Sequence, residues 1–143
     1  MPIDIHHAMI YMMVLASVSD RKIGDRELKI MGAIVENMPI FRGFAASKIA
    51  PISQECAELL ESEEGIDAAL GMVRAALPAR LRDTAYAIAC DVVAADGDAT
   101  QEELRLLEMI RDRLDLDRLT AGAIERGAAA RHRVIRSNEP IES

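Results

Sequence analysis

Aromatic side chains are scarce in this 143-residue chain: two Tyr, two Phe and no Trp. Threonine is also rare, so the residues that build strands are few, and a sandwich or barrel is excluded as the main architecture. Cysteine is limited to Cys56 and Cys90. Both lie among Ala, Leu and Val, so they predict small buried hydrophobes in a reducing compartment, not a disulfide framework or a zinc cluster. Basic residues are outnumbered, 17 against 24 acidic, which leaves a formal net charge of -7. That balance argues against nucleic acid as a partner, because phosphate binding needs clustered Lys and Arg. No apolar run is long enough to span a bilayer: those at 8–18 and 85–95 are too short, and the second contains Asp91. The start of the chain carries Asp4 and two histidines and lacks the basic region of a secretion signal. A soluble, cytoplasmic protein with no direct membrane insertion is expected. There is no glycine-rich phosphate loop and no nucleophile patterned with a histidine, so the expectation is a binding module and not an enzyme.

What the chain does have is Ala, Leu, Ile, Val and Met, half of it being apolar. These residues lose least on entering a helix. The predicted fold is all-α, a bundle of about seven helices. Residues 3–19 read as a helix with little polar face, through Ile10, Met13, Val14, Ala16 and Val18, and so as a central, buried one. Met9, Met12 and Met13 are expected in the core. A polar break at 20–24 precedes an amphipathic helix over 25–38, with Leu28, Met31, Ile34, Val35 and Met38 inward. Pro39 stops it, and residues 41–50 are irregular. Pro51 suits the first turn of a helix running to about 61, with Ile52, Cys56, Leu59 and Leu60 inward. Ser62 is placed to cap a helix over 63–76. Pro78 opens the longest helix, to about Ala95, with Ala85, Ile88, Ala89, Val92 and Ala95 as its apolar face. A turn at 96–99 leads to a helix from Thr100 through Leu104, Leu107, Ile110 and Leu114, and a last helix covers about 118–131. Residues 1–131 form one domain. Residues 132–143, with Arg133 and Arg136, read as a flexible basic tail.

Two stretches share one design. Asp96 lies 76 residues after Asp20, and Glu103 lies 76 after Glu27. Leu28 matches Leu104 and Ile34 matches Ile110. Each half is a buried helix, an Asp-led turn, then an amphipathic helix with an early Glu, which predicts a pseudo-two-fold repeat at the centre of the fold. The motif Ala95-Asp96-Gly97 followed by Glu102-Glu103-Leu104 resembles that of the tellurite-resistance TerB family and TerB-like domains. The stretch 78–117 is the most family-like, and the duplication extends the resemblance over most of the chain. In the first half Ser19-Asp20-Arg21 replaces Ala-Asp-Gly, which sets a bulky cation beside Asp20.

The resemblance implies a TerB-like helical bundle and a stress-related binding module. It also implies an acidic surface offered to a divalent cation such as Ca²⁺ or Mg²⁺, or to a protein partner; a homodimer is compatible with it. Candidate ligands are Asp96, Asp98, Glu103, Asp20 and Glu27, since carboxylate oxygens suit hard cations. An EF-hand is excluded: counting from Asp96, Gln101 stands where the loop needs Gly and Leu107 where it needs Glu. A plainer account of the same residues stays open. Thr100 and Glu103 fit a capping box, Gly24 and Glu27 form a weaker version, and the aspartates suit turns. A purely structural or oligomerisation domain, and a carboxylate-based metal-dependent hydrolase, are the alternative functions. Asp91, inside an apolar helix, is expected at an edge or paired with an arginine, with Arg80 and Arg82 as candidates. His6 and His7 point about 100° apart on a helix, a poor metal pair.

Overall fold

A computed structural model describes residues 2–17, 23–95, 97 and 99–140. The described residues form seven α-helices and no strand: α1 (Ile5–Ala16), α2 (Asp25–Asn37), α3 (Ile49–Leu59), α4 (Gly65–Ala76), α5 (Arg82–Ala95), α6 (Gln101–Arg113) and α7 (Arg118–Arg131). Short 3-10 turns at Pro39–Phe41, Ala46–Lys48 and Ala79–Leu81 join them.

The core is organised on α1 and α5, which pack against each other. Every residue from Ala8 to Ala16 is buried, and so are Ala85, Tyr86, Ile88, Ala89, Cys90, Val92 and Val93. A helix apolar on all sides has to be surrounded to bury its whole surface. Accordingly α1 also lies against α3, α4 and α6, and α5 against α2, α6 and α7. Met9, Met12 and Met13 are fully buried, as the composition predicts. The amphipathic helices turn one stripe inward: Met31 and Val35 from α2, Ile52 and Cys56 from α3, Leu107 and Ile110 from α6. Leu104, in the first turn of α6, departs from its expected inward place and is 47% exposed, at the edge of a cleft.

Helix ends depart from the sequence expectation where side chains compete for backbone groups. α1 begins two residues late because Asp4 caps it, its carboxylate accepting from the His7 backbone N–H at 2.8 Å; that hydrogen bond lowers the Asp4 pKa. Ser62 does not cap α4. Its hydroxyl donates instead to the Leu59 carbonyl at 3.2 Å, closing the end of α3. α4 starts at Gly65, whose Cα faces the Leu59 carbonyl so closely that a Cβ would stand 2.3 Å from that oxygen. Pro78 lies outside α5, extended at ψ 153°, and a 3-10 turn intervenes. α3 begins at Ile49, which still leaves Pro51 in the first turn. α6 ends in a Schellman arrangement: Leu116 N–H donates to Arg111 O and Asp115 N–H to Asp112 O. Asp115 takes the left-handed φ of 55°, and its carboxylate is held by Arg74 at 2.6 Å.

Ile88→Ala removes a fully buried side chain from the centre of this arrangement, and should lower the unfolding free energy by about 2–5 kcal/mol. Leu119→Ala, at a position 86% exposed, should change it by less than about 0.5 kcal/mol. Urea denaturation of the two variants beside the parent protein checks both; similar midpoints would contradict this placement of the core.

Candidate functional site

The starts of α2 and α6 hold two of the five candidate ligands. At α6 the capping box is complete: Thr100 Oγ1 accepts from Glu103 N–H at 3.1 Å, and Glu103 Oε1 accepts from Thr100 N–H at 2.9 Å. At α2, Gly24 caps without a side chain. Glu27 folds back over it, with Oε2 2.9 Å from where a Cβ on residue 24 would stand. Glu103 therefore serves the amides of a helix start, while Glu27 lies over the start of α2. Asp20, Asp96 and Asp98 lie outside the described residues. Between the last two, Gly97 takes a φ of 101°, which glycine adopts without steric strain. Among the described residues no three His, Cys, Asp or Glu side chains come together as a metal ion would need. Glu103 commits one oxygen to its cap and retains a second, so it fits a cation only as one ligand beside others.

The larger feature is a cleft of about 1130 Å³ formed by α5, α6, α7 and the chain that follows. Its floor is apolar, from Tyr86, Cys90, Val93, Leu107 and Ala128. On one wall, the buried Tyr86 hydroxyl donates to Glu125 Oε2 at 2.5 Å, and Arg111 Nη1 meets the same oxygen at 3.4 Å. Burial, and then the bond to Glu125, raise the Tyr86 pKa and keep the phenol protonated. Desolvation pushes the Cys90 thiol up to about 12, and Cys56 likewise. Neither thiol is a nucleophile at neutral pH. The sequence pattern placed Cys90 in the core but held no signal for the cleft, which depends on how α5, α6 and α7 come together.

Asp91 has a different partner from those expected. Arg131 Nη2 lies 2.7 Å and His132 Nε2 3.3 Å from its Oδ1, so the carboxylate ties the end of α7 to α5. Arg80 and Arg82 precede it by almost three helical turns, too far along the helix to reach back. The histidine pair is split as expected. His6 stacks on Phe41 and approaches the Ile40 carbonyl at 2.9 Å, while His7 pairs with Asp4. From the acidic segment, Glu55 accepts from the Tyr11 hydroxyl at 2.8 Å. Glu58, Glu61, Glu63 and Glu64 are exposed.

No family model matches the chain, and comparison with curated proteins and with solved structures finds no match.

Thr100→Ala removes one half of the capping box and should cost about 1 kcal/mol, read from thermal unfolding; no change would mean that the cap does not hold α6. The two thiols give a pH signature. An unfolded chain releases their protons near pH 9, the ordinary thiol value, and the folded chain only near 12. Their contribution to stability is complete below pH 9 and is lost as the pH rises from 9 toward 12. Denaturation midpoints should fall across that window, and iodoacetamide at pH 8.5 should modify the native protein far more slowly than the urea-unfolded chain. Equal labelling rates would contradict the burial.

Proposed function

We propose that this protein is a non-enzymatic, TerB-like binding module of the stress-related, tellurite-resistance type. Its acidic turns receive a divalent cation, and its acidic surface is offered to a protein partner. The observation that carries this reading is the matched build of two helix pairs. α2 and α6 are both 13 residues long and begin and end 76 positions apart. Their caps, Gly24 and Thr100, keep the same offset, and each is covered by a glutamate three residues on. α2 packs on α5, and α6 packs on both α5 and α1, so both amphipathic helices lie against the central pair.

The second turn is the stronger cation site. Asp96 and Asp98 flank Gly97 there, and Glu103 keeps a carboxylate oxygen beyond its cap. At the first turn Arg21 and Lys22 stand beside Asp20 and repel a cation. Protonated thiols and a carboxylate occupied by Tyr86 and Arg111 favour binding over catalysis. The exposed glutamates of 58–64 supply charge for steering a basic partner.

Thermal unfolding with Ca²⁺, Mg²⁺, Mn²⁺ and Zn²⁺ at millimolar concentration tests the cation. A cation that binds the folded chain adds about 2.7 kcal/mol at a hundredfold excess over its Kd. Asp96→Asn should abolish that gain, and Asp20→Asn should reduce it less. Identical melting curves with and without the ions would sink the cation reading.

A further inference from the structure

Three of the five large apolar side chains left exposed among the described residues, Leu104, Val134 and Ile135, line the α5–α6–α7 cleft. Single exposed apolar residues are ordinary, but a group of them on one polar-rimmed face marks an interaction surface. Val134 and Ile135 are 80% and 84% exposed. They stand at the cleft's edge beside its apolar floor and do not fill it. The chain carrying them is tied to α5 on one side and closed by a local turn on the other. Arg131 is fixed by Asp91 just before it. Just after it, Arg136 N–H donates to Glu139 Oε1 at 2.8 Å while Glu139 N–H donates to Arg136 O at 3.1 Å. The face thus carries a hollow and, next to it, an apolar projection.

Charge decides what fits there. The whole chain carries -7, yet three arginines and three glutamates line this cleft. Arg111 and Glu125 neutralise each other. The guanidinium groups of Arg133 and Arg136 and the carboxylate of Glu108 have no side-chain partner among the described residues. An anionic ligand would answer the arginines and leave Glu108 unmet; a cationic one would do the reverse. A second copy rotated by a two-fold axis brings both signs and both shapes, a hollow for the projection and a projection for the hollow. A neutral face on an acidic protein is also where two copies repel each other least. Its extent suffices: 20 residues line the cleft, and a standard interface uses about 20–30 on each side.

We propose that this face is the interface of a two-fold homodimer, in which Val134 and Ile135 of each copy sit in the cleft of the other. Sedimentation of the full chain from micromolar to millimolar concentration, with a chelator present, tests this independently of the cation reading. A reversible dimer is expected. Ile135→Glu and Leu104→Glu should each weaken it about 30-fold or more while the helical circular dichroism is kept, since both positions are substantially exposed in the single copy. Mixing the two variants is the sharper measurement. In the mixed dimer one intact projection meets one intact cleft, so association should recover in part. A monomer at every concentration, including one whose cleft takes up an apolar dye, would overturn the proposal. So would a dimer insensitive to both variants, or variants that do not complement on mixing.

Discussion

α1 and α5 lie against each other with almost no polar surface between them, and the rest of the molecule is arranged to cover what that contact leaves bare. A helix with one apolar stripe can rest on a neighbour and keep its other face in water. A helix buried from Ala8 to Ala16 on every side cannot. Burial contributes about 25 cal/mol for each Å² of apolar surface removed from water, so stability rises with each helix laid around the pair. The amphipathic helices α2, α3, α4 and α6 supply that cover, each with a narrow inward stripe. The low aromatic content follows from the same packing, because Ala, Val, Ile and Met allow helices to approach closely. α7 shows this most clearly, meeting α5 through Ala121 and Ala128.

Polar groups inside this core are few, and both core tyrosine hydroxyls have partners. Each central helix carries one tyrosine whose ring is buried, and each hydroxyl reaches a glutamate at the rim: Tyr11 to Glu55, Tyr86 to Glu125. An unpaired buried hydroxyl would cost about 1–3 kcal/mol, so these pairs keep the apolar contact free of that penalty. They also set where α3 and α7 sit. Asp91 does the same for the end of α7, through Arg131. Beside Tyr86 and Cys90 a cleft opens in the wall of the core. There small side chains on α7 and the half-exposed Leu104 on α6 leave space that no described residue fills. Among the described residues this apolar hollow is therefore a surface that the packing of the core leaves open.

The sequence by itself determined the helical class, the two central helices, the cap at Thr100 and the bounds of α7. These follow from local chemistry: an apolar run with no polar face, a Thr three residues before a Glu, an Asp ahead of an alanine-rich helix. It also determined that Cys56 and Cys90 are buried, since their neighbours at helical spacing are apolar. Tertiary structure decided which groups meet across distance. Asp91 could pair with any arginine the fold brings near, and forty positions separate it from Arg131. Ser62 could cap forward or bond backward, and the close approach of Gly65 to Leu59 settled it. The cleft is the clearest case. Leu104 keeps the helical spacing of a core residue, yet it is half exposed and lines the cleft. Periodicity tells which side of a helix is apolar, and only packing tells whether a neighbour covers it.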